Sequence, residues 1–196
     1  MSSLDDPGLD GRRQRSERSR KAIIEATLEF MNEGLLIPTA QQIADRAGVG
    51  IRSFFRHFSD MDSLFAAVDS HERASYESFF SDDENVGSLD DRIARTIEIV
   101  TDGFEALSNM ILSTLAQRWR SEELRKNYAR NQRLLSKNIG EWLPESKGFD
   151  REDRHALEAI LSFEFWYRLR EHQGLGVKAG RKLVSTLVVD LFERQQ

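Results

Sequence analysis

The side chains best suited to recognise a ligand in this sequence are hydrogen-bonding groups on one short predicted helix. Arg52 can donate two parallel hydrogen bonds to guanine O6 and N7, which makes it the leading candidate for reading a base pair. Arg56 follows four residues later and therefore lies on the same helical face. Phe55 shares this outward side and can place an apolar edge against a thymine methyl group. These residue types at this spacing give the predicted helix an outward face that could meet a DNA groove.

Two short helices joined at a glycine are predicted to position these side chains. Thr39 can cap the first helix, because its hydroxyl can accept a hydrogen bond from the first turn. Gly48 can take a left-handed turn at little cost. Apolar residues recur at helical spacing and point to a shared core: Ile43, Ala44, Ala47, Val49, Phe54 and Phe58. This is the helix-turn-helix pattern, whose second helix enters the major groove.

The segments on either side complete a family pattern. An amphipathic first helix is predicted over residues 18–34, and Ser59 with Asp62 forms a capping-box signal for a fourth helix. Residues 22–26, 43–49 and 54–58 together closely resemble the tetracycline-repressor-like (TetR) family of bacterial transcription regulators. This specific resemblance covers Arg18 to Val68, and beyond it the chain is similar in length, helical pattern and a Trp-containing eighth helix. It implies an all-α fold of about nine helices, with a three-helix DNA-binding head on a larger body for ligand binding and dimerisation.

The resemblance also implies which residues face double-stranded DNA. They are Thr39, Ala40, Gln41, Ile51, Arg52, Ser53, Phe55, Arg56 and His57. Thr39, Ser53 and His57 are expected at phosphates, which position a protein without specifying sequence. Gln41 could contact either an adenine or a phosphate. Phe55 stands where the family commonly has tyrosine, and Met61 where it commonly has lysine, so both departures weaken the phosphate clamp. A basic arm could compensate through Arg12, Arg13 and Arg15.

The distribution of charge supports this assignment better than the total does. The whole chain carries a net charge of −5, which taken alone argues against nucleic acid as a partner. Residues 12–58, however, hold nine Lys and Arg residues against five Asp and Glu residues. Local charge decides phosphate binding, because salt screens charges more than about 10 Å apart. We therefore predict a disordered basic arm over residues 1–15, a DNA-binding domain over 16–60 and a ligand-binding and dimerisation domain over 61–196.

The remainder of the chain is predicted to be helical. The fourth helix, expected from Asp60 to about Phe80, connects the head to the body. Further helices are expected from Ser88, from Met110 to about Arg118, and from Ser121 to Pro144. An eighth helix should run from Asp150 to before Gly174, and a ninth from about Lys178 to Arg194.

A small-molecule effector is expected from the family resemblance, bound among the fifth to eighth helices. The candidate lining is Ile97, Phe104, Leu107, Met110, Leu115, Trp119, Tyr128, Leu135, Trp142, Phe163 and Trp166. For each of these residues, ordinary core packing is the alternative, because Met and aromatic residues at helical spacing commonly form a core. The identity of the effector is not readable from the sequence.

The last two predicted helices have apolar faces wider than the stripe of about 100° that a single core requires. Each is therefore expected to bury a second face, as in the two-fold four-helix interface of the family. The candidate homodimer residues are Ile160, Tyr167, Val184, Leu187, Val188 and Leu191. The alternative is a well-packed monomer core.

Signals for other classes of protein are missing from the sequence. There is no cysteine, and the four histidines have no metal-ligand spacing, so no metal, cofactor or catalytic residue is expected. No signal-peptide pattern or long apolar run occurs, which makes a cytoplasmic protein without a membrane partner the default. The favoured interpretation is a regulator released from its operator by an effector. The alternatives are a ligand-sensing or scaffold protein whose degenerate head lacks specific DNA recognition, and an all-helical enzyme.

Overall fold

The computed structural model describes residues 7–80 and 86–194, with side chains described from Gly11 onward. These residues form nine α-helices and no strand. The helices are α1 Pro7–Asn32, α2 Ala40–Arg46, α3 Ile51–His57, α4 Met61–Ser78, α5 Leu89–Gln117, α6 Glu122–Trp142, α7 Arg151–Ile160, α8 Phe163–Tyr167 and α9 Val177–Glu193. A 3-10 turn at Pro144–Gly148 follows α6, and a π turn at Arg168–His172 follows α8. The all-α prediction is confirmed.

The chain divides into two compact units. The first comprises residues 1–72 and 109–128, and the second comprises residues 73–108 and 129–196. Helices α4, α5 and α6 contribute residues to both units. The first unit thus combines the predicted DNA-binding head with the C-terminal part of α5 and the first turns of α6.

The first unit has a continuous apolar core made by α1 to α4. Its members are Ile23, Ile24, Ala26, Ile43, Ala44, Phe54, Phe58, Leu64, Ala67 and Val68. Phe54 and Phe58 are essentially inaccessible to solvent, and their ring centres lie 6.0 Å apart. Burial of each such aromatic side chain contributes about 1.5–3 kcal/mol, so these two rings fix the inner face of α3.

The N-terminal segment differs from the prediction. Residues 7–15, expected to be disordered, form the first turns of α1, so that part of the prediction is wrong; Met1–Asp6 lie outside the described residues. Pro7 suits the first helical position, because its missing N–H has no partner there in any helix. Arg15 Nε also donates to the carbonyl of Gly11 at 3.1 Å. The mostly helix-favouring residues that follow outweigh the cost of Gly8 and Gly11.

Two boundaries in the body also differ from the prediction. The expected fifth and sixth helices are one continuous helix, α5, because no glycine or proline interrupts residues 104–117. The expected eighth helix is instead two, α7 and α8. Ser162 separates them, since its Oγ accepts from the backbone N–H of Phe165 at 3.2 Å and starts a new helix.

The second unit packs α5, α8 and α9 around buried aromatic residues. Phe104 lies edge-on to Phe163, with ring centres 5.7 Å apart. Gly180 of α9 faces Trp166 so closely that a Cβ at this position would lie 2.8 Å from the indole ring. The indole Nε1 of Trp166 donates to Glu105 Oε1 at 2.7 Å, which ties α8 to α5. Glu105 also accepts from Arg170 Nε at 2.8 Å.

Over the part of the chain that the structure describes, no helix combines the length and the apolar character needed to cross a membrane.

Candidate nucleic-acid interface

Capping interactions and a glycine turn fix the two ends of α2, the first helix of the helix-turn-helix pair. Thr39 Oγ1 accepts from the backbone N–H of Gln42 at 3.2 Å, and Gln42 Oε1 accepts from the backbone N–H of Thr39 at 2.9 Å. This reciprocal capping box confirms Thr39 as the N-cap of α2. Gly48 has φ +64°, and Val49 N–H donates to the carbonyl of Ala44 at 3.0 Å. The predicted left-handed glycine turn is therefore confirmed.

The start of α4 is capped one residue away from the predicted position. Asp60 Oδ1 accepts from the backbone N–H of Ser63 at 2.7 Å, so the capping pair is Asp60 with Ser63 and not Ser59 with Asp62. The hydrogen bond from the Ser63 backbone lowers the pKa of Asp60, and a bond from the Ser59 hydroxyl adds to this effect. Because Asp60 is the cap, the carboxylate of Asp62 is available to accept a hydrogen bond from the backbone N–H of Glu122 in α6.

Helix α3 separates an inner apolar face from an outer face suited to DNA. Phe54 lies inside, whereas Arg52, Phe55 and Arg56 are exposed. Phe55 is 52% exposed and its ring stands edge-on to Phe54 at 5.2 Å, so the core supports it from behind. Ile51, Ser53 and His57 are half-buried at the edges of this face.

The two arginines of α3 differ in their freedom to reach a base. Arg56 Nη2 donates to Ser53 Oγ at 3.3 Å, an interaction that orders its side chain along the helix. Arg52 makes no hydrogen bond or ion pair with any residue described in the structure. An exposed guanidinium without such a bond retains two parallel donors for a guanine, which favours Arg52 for base reading.

The first turn of α2 exposes the other predicted contacts. Thr39 and Gln41 are exposed, and Ala40 is half-buried. Gln41 Nε2 donates to Asp45 Oδ1 at 2.8 Å. This bond holds the amide on the exposed side of α2 and places a carboxylate close to it. A phosphate approaching Gln41 therefore meets the negative charge of Asp45.

His57 occupies an apolar and cationic environment at the end of α3. Partial burial lowers the pKa of His57, and the nearby charges of Arg56 and Arg20 lower it further. Its Nε2 is buried without a hydrogen-bond partner among the described residues. Arg20 of α1 lies with its guanidinium carbon 4.6 Å from the centre of the Phe58 ring. Arg20 was not predicted as part of this site, because a contact across 38 residues of sequence leaves no local pattern.

The guanidinium of Arg46 is paired with acidic side chains of the same unit. Arg46 Nη1 and Nη2 donate to the two carboxylate oxygens of Glu33 at 2.8 and 3.0 Å. These hydrogen bonds raise the pKa of Arg46 and lower that of Glu33. Glu29 lies 3.4 Å from the same guanidinium. Arg46 is thus neutralised and contributes less to phosphate binding than a count of charges suggests.

The predicted basic arm is a helical surface. Arg12, Arg13 and Arg15 are exposed on the first turns of α1. Because they belong to the same helix as Arg20, their positions are set by that helix and not by a flexible chain. The arm is therefore a helix and not the flexible chain that was expected, and its three positive charges remain exposed to solvent.

The predicted effector lining is distributed over both units. Ile97, Phe104, Trp142, Phe163 and Trp166 are buried in the second unit, where Leu107 and Leu135 are half-buried. Met110, Leu115, Trp119 and Tyr128 belong to the first unit. Trp119 is 76% exposed in the turn after α5, so its assignment to an enclosed lining is wrong. Trp166 is held by Glu105 and Gly180, which makes it a packing residue of the second unit.

The predicted dimer residues separate into two groups. Val184, Val188 and Leu191 are 2%, 0% and 4% exposed, so they belong to the core of their own chain and the prediction that they are free for a partner is wrong. The reason is rotational: these positions share the face of α9 that contains Gly180. Ile160, Tyr167 and Leu187 are half-buried, and Leu183, which the prediction omitted, is 37% exposed.

Comparison with known proteins agrees with this geometry. Residues 23–68 match the family of bacterial regulatory proteins described as tetR. The fold is similar to that of a transcriptional regulator from Rhodococcus sp. Rha1, with a TM-score of 0.65 and 17% identity over 91% of this chain and 96% of that one. It is also similar to a proposed transcriptional regulator from Streptomyces coelicolor A3(2), with a TM-score of 0.56 and 22% identity over 87% and 98%. A comparison of the sequence with curated proteins gives no match.

Proposed function

We propose that this member of the tetR family of bacterial regulatory proteins binds a specific DNA operator as a homodimer, represses transcription there, and is released by a small-molecule effector. The observation that carries the proposal is the outer face of α3. Arg52, Phe55 and Arg56 are exposed together while Phe54 and Phe58 anchor the helix from the opposite side. A rigid helix that presents hydrogen-bond donors and an apolar edge suits the major groove.

Dimerisation supplies the second half of the recognition. A single head reads one half-site, and dimers of this kind read two half-sites one helical turn, or a multiple of it, apart. The residues that support a homodimer are the apolar side chains left accessible on α7, α8 and α9: Ile160, Tyr167, Leu183 and Leu187. The same patch of each protomer would meet across a two-fold axis, as in an isologous interface.

Effector control is inferred from the family resemblance. It is supported by the second unit, whose helices enclose many aromatic side chains that a DNA-binding head alone would not require. A ligand can release DNA only if it binds the released state more tightly than the DNA-bound state. The effector must therefore have different affinities for the free and the operator-bound dimer.

Transcription in vitro tests the direction of regulation. Genomic fragments selected by the purified protein serve as templates, and transcription from each neighbouring promoter is measured as protein is added. The proposal predicts that transcription falls on the selected templates and stays constant on an unselected promoter. Increased transcription from the selected promoters would replace repression by activation while leaving DNA recognition intact.

A further inference from the structure

An apolar cleft lies within the first unit, beside the point where the chain enters α2. It has a volume of about 330 Å³ and is open to solvent. Its lining includes Ile37 and Pro38, which lead into Thr39, and Met61 and Phe65 of α4. Small-molecule sites in proteins begin at about this volume, so the cleft has room for a small ligand.

The rim of this cleft carries a cation without an acidic partner. Arg120 is exposed, and among the described residues its side chain has a single hydrogen bond, from Nη2 to Gln117 Oε1 at 2.8 Å. Arg46, by contrast, is matched by two glutamates in the same unit. A guanidinium at the mouth of an apolar cleft can bind a carboxylate with two parallel hydrogen bonds.

We propose that this cleft binds a small organic carboxylate, with its apolar body between Ile37 and Phe65 and its carboxylate on Arg120. The site is separate from the effector lining predicted for the aromatic residues of the second unit. Asp62 also lines the cleft. Its Oδ2 accepts a hydrogen bond from the backbone N–H of Glu122 at 3.2 Å, so one carboxylate oxygen is bound to the start of α6. Its negative charge opposes an anion and so limits the affinity.

The hydrogen bonds behind Arg120 connect this site to the DNA-binding helices. Gln117 is fully buried, and its Nε2 donates to the carbonyl of Leu36 at 2.9 Å. Ser113 Oγ donates to the same carbonyl at 2.7 Å. Leu36 lies three residues before the N-cap of α2. A carboxylate that draws Arg120 away from Gln117 therefore acts on the amide that holds the entry to α2.

The test uses 4-phenylbutyrate and its uncharged amide as probes of the full-length chain, with binding measured by isothermal titration calorimetry. The wild-type protein should bind the carboxylate more tightly than the amide. Arg120→Gln should weaken carboxylate binding about tenfold, which corresponds to the loss of one hydrogen bond to a charged group, and leave amide binding unchanged. The matched control is Arg133→Gln, which removes an exposed arginine outside the cleft and should leave both affinities unchanged.

Two further variants test the cleft at residues other than Arg120. Asp62→Asn keeps an oxygen for Glu122 and removes the opposing charge, so it should tighten carboxylate binding. Ile37→Asp places a charge on the apolar wall at a residue that is 46% exposed, and should abolish binding of both probes. Equal affinity for carboxylate and amide, or binding that none of the three cleft variants changes, would overturn the proposal.

A second measurement rests on the proposed function. The carboxylate probe should change the affinity of the wild-type protein for its selected DNA fragments, and should not change that of Arg120→Gln. If DNA binding is normal without probe and the probe does not bind, the cleft proposal fails while the proposed function stands. If no specific DNA is selected, the calorimetric result still decides the cleft proposal.

Discussion

The guanidinium carbon of Arg46 lies 4.1 Å from the centre of the Phe30 ring, so the last residue of α2 stacks directly on α1. With the two hydrogen bonds to Glu33, this stacking gives Arg46 a packing role between two helices of the head. A residue that a charge count assigns to the DNA surface is therefore part of the fold. Arg46, whose guanidinium is bound within the fold, thus differs from Arg52, whose guanidinium is available to DNA.

Arg46→Gln should lower the melting temperature of the protein without reducing the salt dependence of DNA binding. The substitution removes the stacking on Phe30 and the pairing with Glu33, both of which hold α2 against α1. Thermal unfolding and DNA affinity over a series of salt concentrations measure the two effects. A flatter salt dependence with unchanged thermal stability would show that Arg46 binds phosphate.

The helical arginines at the start of α1 should act on all DNA sequences equally. Replacing Arg12, Arg13 and Arg15 by glutamine keeps helix-favouring side chains and removes three charges. The log-log slope of affinity against salt should fall by about 0.9 for each phosphate that the variant no longer neutralises. The affinity ratio between operator and random DNA should stay constant. A changed ratio would instead indicate that one of these arginines reads bases in the adjacent minor groove.

DNA binding should depend on the protonation of His57. Burial and the charges of Arg56 and Arg20 lower the pKa of His57 in the free protein, while Glu17 acts weakly in the opposite direction. A phosphate beside the ring favours the charged form, so the complex takes up a proton that the free protein lacks. Affinity should therefore rise as the pH falls through the pKa of His57 in the complex, and should level off only below the pKa in the free protein, which lies under the ordinary value of about 6.5.

The comparison with His57→Asn isolates this effect from other groups that titrate. The variant should lose the part of the pH dependence that arises from the imidazole. The effect of pH on folding stability, measured without DNA, has the opposite sign. The pKa of His57 is about 6.5 in the unfolded chain and lower in the folded protein, so the unfolded chain binds the proton more tightly. The free energy of unfolding should therefore fall as the pH is lowered through about 6.5. Identical pH profiles for both proteins would remove His57 from the phosphate contacts.

The accessible face of α9 should form the homodimer interface. Leu187 is half-buried and Leu183 is 37% exposed one turn earlier, so Leu187→Glu should give monomers by light scattering and weaken operator binding. An unpaired charge buried in such an interface costs several kcal/mol. Thr186→Glu is the matched control, because Thr186 is exposed beside it on the same helix.

The same pair of variants defines what would contradict the interface. If Leu187→Glu stays dimeric and binds the operator normally, the partner must contact another surface. Val188→Glu cannot serve in this test, because Val188 is fully buried and a charge there would unfold the second unit.

Local signals made the head predictable from the sequence. Thr39, Gly48 and the alternation of Phe54 with Phe55 each act within one or two helical turns, so the residues themselves contain the information. The capping of α6 by Ser121 and of α7 by Asp150 was predictable for the same reason. At Ser59 and Asp60, two neighbouring residues are both good caps, and the prediction was wrong by one position.

Features that depend on distant residues were not predictable. Which apolar face of α9 turns inward is decided by Trp166 and Gly180 in three dimensions, whereas the sequence shows only that both faces are apolar. The sequence was divided into two helices before Met110, whereas Asn109 lies inside the continuous helix α5. In the structure its Nδ2 donates to the carbonyl of Asn32 at 3.0 Å, 77 residues away. The contacts of Arg20 with the Phe58 ring and of Arg46 with the Phe30 ring likewise join residues that are far apart in sequence.

The most direct test of the central claim is the effect of Arg52→Ala on the affinities for a selected genomic fragment and for random DNA. The wild-type protein should select fragments that share two symmetric half-sites and bind them at least about 1,000-fold more tightly than random DNA. Arg52→Ala should cost about 1–3 kcal/mol on the selected fragment and almost nothing on random DNA. Failure to select any common sequence, or equal losses on both DNAs, would contradict base reading by α3.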